Sequence, residues 1–208
     1  YYPGWPGRHD VNKGVPVEPE SDKDHYYARA QMYGNVLSGN LGGHMYGSGA
    51  YCGNSTGEQK GTKDGHDRPF VWEHLLYPSG AQMQHLASFI LSEGDAYQKC
   101  IPSHNQLKPN KAEGSPEGGL DGWSYLLISP EKNLVFCYFE QTAEMAKVHQ
   151  LIPNANYKVM WYNPSSGKWL ENQKSIKSDK EGMLELGSFP DGKKVTEDDW
   201  ALKLKLEK

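Results

Sequence analysis

The 208-residue sequence predicts an α/β portion over residues 1–100 followed by an antiparallel β-sandwich over residues 101–208. Three observations carry that reading. First, a short apolar run from Val15 to Val17 passes through Glu18, Pro19 and Glu20 into a helical stripe, and then into a Gly/His/Tyr-rich run from Asn40 to Gly47. Strand, helix, strand in that order make one parallel βαβ unit. Second, short alternating stretches recur after about residue 100: Trp123 to Ile128, Leu134 to Phe139, Tyr157 to Tyr162, Met183 to Leu186 and Trp200 to Leu206. Third, turn formers such as Asn163-Pro164-Ser165-Ser166-Gly167 separate them, which is the spacing of a sandwich of about 100 residues.

Residues 1–14 combine turn formers with aromatics and read as loop. Ser21 is an N-cap candidate with Asp24 in a capping-box position, and Asp22 and Asp24 suit the positive end of the helix dipole. Tyr26, Ala30, Tyr33 and Leu37 then form one apolar stripe, which Ser38-Gly39-Asn40 stops. The run from Leu41 to Gly47 is too short and too glycine-rich for a helix and reads as the second strand. Residues 48–78 form a long polar loop, of a length that is usually functional or disordered. Within it, Pro69-Phe70-Val71-Trp72-Glu73 has the apolar content to dock onto the body.

Ser79 is expected to cap a second helix, with Gln82 completing the capping box. Met83, Leu86, Ile90 and Leu91 make its buried stripe, and Gly94 ends it. A Pro/Gly-rich linker is expected from Pro102 to Gly119. In the last strand, Trp200, Leu202, Leu204 and Leu206 alternate with Lys203 and Lys205. This predicts a half-buried strand with both lysines on its outer, solvated face.

Composition narrows the function. Thirteen Tyr and six Trp suit stacking on sugar rings, because an amphipathic ring offers an apolar face and a polar edge; packing within a sheet accounts for them equally well. Net charge is −4, from 22 basic and 26 acidic residues, and without a basic patch nucleic acid is excluded as a partner. No apolar run reaches the roughly 18 residues a membrane-spanning helix needs. The first residue is Tyr1 and no signal peptide follows it, so any targeting segment is expected upstream. Cys52, Cys100 and Cys137 lack metal-ligand spacing and are odd in number; buried free thiols are the expectation, with one disulfide as the alternative. His66, His74, His104 and His149 are scattered, and Glu58, Asp64 and Asp67 lack the calcium-loop pattern. No metal and no cofactor is expected.

In a β/α barrel the C-terminal ends of the strands form the catalytic face. The pattern above puts Glu18 and Glu20 at one such end, and His44 and Tyr46 at the next. Glycoside hydrolysis needs two carboxyl groups flanking the scissile bond, one protonated and one ionised. Glu18 and Glu20 are two residues apart and would share one face of a regular strand. Pro19 and the strand end interrupt that regularity; neighbours on one strand approach a sugar from one side, whereas acid and nucleophile need different approaches, which argues against their being the pair. Each of these residues has a plainer reading: a helix-start charge for Glu18, a backbone-bonded histidine for His44, core packing for Tyr46, and a loop anchor rather than a sugar platform for Trp72.

Val-Pro-Val-Glu-Pro, a Tyr/Ala-rich helix, Gly-Gly-His-Met-Tyr-Gly, and Phe-Val-Trp-Glu with Ser-Gly-Ala-Gln-Met together resemble the apiosidase-like glycoside hydrolases of bacteria. The resemblance covers essentially the whole chain and is strongest over residues 15–50 and 69–91. It implies the C-terminal portion of a (β/α)8 barrel followed by a β-sandwich of the type named for collagen binding. The family pattern is Lys-Pro-Val, a short gap, Glu-Pro-x-Tyr-Glu, and later Gly-His-x-Tyr-Gly before an aromatic. Glu18 matches its first Glu, which the resemblance implies is the nucleophile on the seventh barrel strand. His44, Tyr46 and Gly47 match the eighth-strand motif, and Tyr51 falls near the family's aromatic. Ser21 and Asp22 stand where Tyr-Glu is usual, and Glu20 adds a second carboxylate. Glu20 therefore remains an alternative nucleophile, and the sugar stays open.

The family's acid/base lies on an earlier strand, outside this chain. A complete barrel needs about 250 residues, and only two of its eight β/α units can be counted here. The expectation is the C-terminal part of a secreted or periplasmic glycoside hydrolase, or one attached to the cell surface through an upstream segment. It would cleave a plant or algal polysaccharide by the retaining route. Glu18 would be catalytic, and His44, Tyr46, Tyr51 and Trp72 would bind the substrate. Its partners would be the oligo- or polysaccharide and the upstream half of the barrel. The alternative is a non-catalytic carbohydrate-binding or adhesive surface module, which would be indifferent to Glu18→Gln.

Overall fold

The structure, a computed structural model, describes residues 9–10, 15–16, 22–40, 77–111 and 121–207. Among the described residues two α-helices, α1 (Asp22–Leu37) and α2 (Pro78–Ile90), precede most of the sheet. Two-residue strands β1 (His9–Asp10) and β2 (Val15–Pro16) pair with each other. Beyond the helices come β3 (Ile101–Pro102), β4 (Leu107–Lys108), β5 (Ser124–Ile128), β6 (Leu134–Phe139), β7 (Lys147–Val148) and β8 (Asn156–Asn163). The chain ends with β9 (Lys168–Trp169), β10 (Lys174–Lys177), β11 (Leu184–Glu185) and β12 (Trp200–Leu206). The large, seven-stranded sheet has the order β10-β8-β12-β6-β5-β3, with β9 beside β8, and the small, three-stranded sheet has the order β11-β7-β4. Every pairing in both sheets is antiparallel. No β/α barrel is present among the described residues.

The fold is β-sandwich-like, as the alternating stretches predict, but the large sheet is covered twice. One apolar cluster joins Leu126, Cys137, Val159, Leu202 and Leu204 of the large sheet to Leu107, Val148 and Leu184 of the small one. A second joins Leu127, Phe136, Tyr138, Tyr162 and Ala201 to Tyr33, Leu37, Leu86 and Phe89 of the helices. Neighbouring residues of a strand alternate between the two clusters, as the period of two requires. All six residues of β6 are buried, so it reads Leu-Val-Phe-Cys-Tyr-Phe without alternation. Cys137 and Cys100 are free, buried thiols.

The second cluster corrects the reading of β12. Lys203 is buried on the helix-facing side rather than solvated. Its Nζ lies 2.8 Å from Glu93 Oε1, 3.0 Å from Ser92 Oγ and 4.7 Å from the centre of the Trp169 ring. Lys205 remains exposed and reaches Glu93 Oε2 at 2.6 Å. Burial opposes the charge of Glu93, but these two lysines outweigh it and hold the carboxyl below its ordinary value.

Helix α1 begins one residue after the expected cap, and Tyr26, Ala30, Tyr33 and Leu37 are buried as the stripe predicts. Tyr27, Ala28, Arg29 and Met32 are buried too, so the helix is covered on nearly every side. Helix α2 is capped differently from the expectation. Tyr77 is the extended cap residue and Pro78 occupies the first turn, where its fixed φ is preorganised and its missing N–H costs nothing. Ser79 and Gln82 are buried inside the helix. Leu91 starts a 3₁₀ segment, Leu91–Lys99, and is half exposed. Gly94, at φ +63°, kinks that segment, a conformation glycine adopts without a Cβ penalty.

Two further expectations change. Residues 102–111 are not linker: β3 extends the large sheet and β4 the small one, in pieces too short for periodicity to show. Val15–Pro16 pairs antiparallel with His9–Asp10, within a region expected to be loop. The parallel partner expected for it, residues 41–47, lies outside the described residues.

Candidate functional site

Glu18, Glu20, His44, Tyr46, Tyr51 and Trp72 all lie outside the described residues, as do Glu58, Asp64 and Asp67. What the structure does place is a polar network between helices and sheet, and beside it a cleft. Neither was read from the sequence.

Arg29 of α1 reaches across to Asp199, which immediately precedes β12. Its Nε and Nη2 donate to the two carboxylate oxygens at 3.0 and 2.7 Å, and its Nη1 donates to Gln82 Oε1 of α2 at 3.1 Å. The Tyr138 hydroxyl of β6 donates to Asp199 Oδ2 at 3.0 Å. Arg29 and Asp199 are both buried. Burial disfavours the guanidinium charge, but the Asp199 carboxylate and its hydrogen bonds hold Arg29 above its ordinary value. A paired, bidentate arrangement of this kind satisfies two charges that would be costly alone. The network orients both helices on the sheet; nothing in it is exposed to reach a substrate.

Glu140, just after β6, is buried under the start of β5. Its Oε2 accepts the Trp123 N–H at 3.1 Å and its Oε1 accepts the Tyr125 hydroxyl at 3.2 Å. Burial pushes the Glu140 carboxyl up to about 8, and Asp121 adds to this, against the opposing pull of those two donors and of Lys111.

Tyr125 and Trp123 line a cleft of about 1020 Å³ between the C-terminal end of α1 and the β3–β5 region. His104 is held in its wall. Its Nδ1 accepts the Leu126 N–H at 2.9 Å, which leaves Nε2 as the protonated nitrogen facing Ser38 Oγ at 3.3 Å. Its ring meets Tyr125 edge-on at 5.4 Å. Asn110 behaves as a short piece of strand: its Nδ2 donates to Ser124 O at 2.9 Å and to His104 O at 3.2 Å, while its Oδ1 accepts the Ser124 N–H at 3.1 Å. Lys111 Nζ donates to Asp121 O at 3.2 Å and stands 5.1 Å from the centre of the Trp123 ring. The aromatic pair Trp123 and Tyr125 was visible in the sequence only as strand composition, and His104 to Lys111 only as linker. The cleft is lined by residues of β3, β4 and β5 together with Ser38.

Among the described residues no group of three or more His, Cys, Asp or Glu could hold a metal ion, and no helix is long and apolar enough to cross a membrane.

No protein-family model matches the chain, and no curated protein matches it. Solved structures do. One, named a glycoside hydrolase, superposes with a TM-score of 0.62 at 18% identity over 98% of this chain and 40% of its own. A glycoside hydrolase family 5 protein from Bacteroides vulgatus gives 0.61 at 15% identity, over 98% of this chain and 39% of its own. The chain thus spans about 40% of the length of the first of these. At such identities the likeness establishes a shared fold: the helices and sheets described above recur within larger glycoside hydrolases.

Proposed function

We propose that this chain is the C-terminal part of a glycoside hydrolase of the apiosidase-like kind, working outside the cytoplasm on a plant or algal polysaccharide. The observation that carries the reading is the likeness over 98% of the chain to a glycoside hydrolase of which it spans 40%. Helices packed directly on the sandwich, with α1 buried on nearly every side, suit the last elements of a barrel braced by a C-terminal domain. On this reading residues 1–100 carry the last β/α units and residues 101–208 the bracing sandwich.

The catalytic assignment rests on the motif match. The ionised Glu18 attacks the anomeric carbon while a carboxylic acid from the upstream barrel protonates the leaving-group oxygen. Water then hydrolyses the glycosyl-enzyme, with that same upstream group acting as base. His44, Tyr46, Tyr51 and Trp72 position the sugar. Glu20 is the alternative nucleophile. The test is hydrolysis of aryl glycosides and plant polysaccharides by the full-length protein. Glu18→Gln should lower turnover on the order of a thousandfold or more, and Glu20→Gln should not. Full activity after both substitutions together would remove the nucleophile from this chain. A non-catalytic carbohydrate-binding role, which the cleft at Trp123 and Tyr125 favours, would then take its place.

A further inference from the structure

Helix α1 is held to the sandwich close to its start. The Tyr26 hydroxyl accepts the Gln141 N–H at 3.1 Å. One turn further on, Arg29 donates to both oxygens of Asp199 at 3.0 and 2.7 Å. The same guanidinium donates to Gln82 of α2, and Tyr138 of β6 donates to Asp199. Cohesion alone does not call for this arrangement. The helix is already buried on nearly every side, and well-packed apolar residues often hold a buried position as firmly as an ion pair does. What a planar guanidinium on a carboxylate adds is direction. It fixes how far α1 is turned about its axis and where it stands along that axis, relative to the start of β12.

In the sequence, Glu18 and Glu20 stand between β2, which ends at Pro16, and α1, which begins at Asp22. Glu18 is four residues from the helix, and a chain of that length reaches at most about 14 Å. A change in the angle or register of α1 is therefore passed along a short link to both carboxylates. We propose that Arg29 and Asp199 are positioning residues for the carboxylate nucleophile: through this pair the sandwich sets the orientation of α1, and with it that of the residues leading into the helix. The inference rests on the reading of Glu18, or its alternative Glu20, as nucleophile. The pair itself touches no substrate. A misplacement of about 1 Å arising far from the chemistry can lower a rate on the order of a hundredfold, so a small tilt of α1 is enough.

The test uses the full-length protein. It measures hydrolysis of a panel of 4-nitrophenyl glycosides and, independently of activity, amide hydrogen exchange of the peptide covering residues 15–22. Arg29→Lys keeps the charge and loses the two-point contact. It should lower kcat about tenfold with KM within about twofold, and residues 15–22 should exchange severalfold faster. Tyr138→Phe removes one hydrogen bond to Asp199 and keeps the ring stacked on Tyr33. It should act in the same direction to a smaller degree, and it decides the matter where Arg29→Lys does not fold. Glu93→Gln is the control, because it weakens the contact with Lys203 and Lys205 of the same strand β12 without touching α1. It should change neither kcat nor exchange at residues 15–22. Wild-type kcat in the folded Arg29→Lys and Tyr138→Phe proteins overturns the inference, as does an equal loss in Glu93→Gln, which would mark general destabilisation. Full activity in the Glu18→Gln, Glu20→Gln double variant overturns the nucleophile reading and this inference together. Loss of activity there, with wild-type kcat in Arg29→Lys, overturns this inference alone.

Discussion

Glu140 is buried and, among the described residues, accepts from two donors, the Trp123 N–H and the Tyr125 hydroxyl. Its carboxyl is raised from 4.5 to about 8, so between those values the folded state holds a proton that the unfolded chain has released. Stability is then full below about pH 4.5 and falls as pH rises towards 8. Glu140→Gln keeps an acceptor and cannot ionise, which removes that slope. Urea unfolding at pH 5 and pH 8.5 should show the variant gaining on wild type by on the order of 4 kcal/mol between the two. A constant difference would mean that Glu140 stays ionised in the folded state. Arg29 and Asp199 are the opposite case, a buried pair whose charges satisfy each other. The apolar stripe of α1 indicates which side of the helix is inward, but not that an arginine on it has a carboxylate 170 residues away.

Helix α1 touches β5 at one close point. A Cβ at Gly34 would lie 3.0 Å from Tyr125 Cζ and 3.2 Å from its hydroxyl oxygen. Alanine in place of glycine ordinarily favours a helix by about 1 kcal/mol. Here the ring cannot easily withdraw, because its hydroxyl is held by Glu140 and its face lies against Tyr138. Overpacking of this kind costs about 1–3 kcal/mol. Gly34→Ala should therefore destabilise the protein by about 1 kcal/mol net, and the same substitution in a Tyr125→Ala background should stabilise it. Denaturant midpoints of the four proteins decide this; a stabilised single variant would show that Tyr125 gives way. Helix α2 docks differently, by inserting Phe89 among Tyr33, Phe136, Tyr162 and Trp169, with centroid distances of 5.3 to 5.9 Å.

At the scale of the molecule, the sandwich depends on the helices. Residues 101–208 produced alone would expose Leu127, Phe136, Tyr138, Tyr162 and Ala201, all now buried under α1 and α2. A contiguous apolar face of that kind drives association. The fragment should self-associate in size-exclusion chromatography and bind a hydrophobic dye, whereas residues 22–208 should do so less. A monomeric, dye-negative fragment would show that the sheet does not need its helical cover. The isolated sandwich would also lack part of the cleft's wall, because Ser38, just beyond the end of α1, lines it.

Local periodicity sufficed for α1 and for β5, β6, β8, β11 and β12, because those patterns are set by side chains within one or two turns of each other; β7, β9 and β10 were not read. It also identified Gly94 as a break. It misjudged Lys203 because alternation shows that two faces differ, not what covers each. The partner that lets an ammonium be buried, Glu93, is 110 residues away. It read the cleft-forming residues 102–111 as linker because strands of two residues leave no period. The motif around Glu18 and His44 was legible as chemistry without geometry. The Arg29–Asp199 tie, the raised carboxyl of Glu140 and the cleft at Trp123 arise where separate elements meet, and only the packing of helices and two sheets brings those groups together.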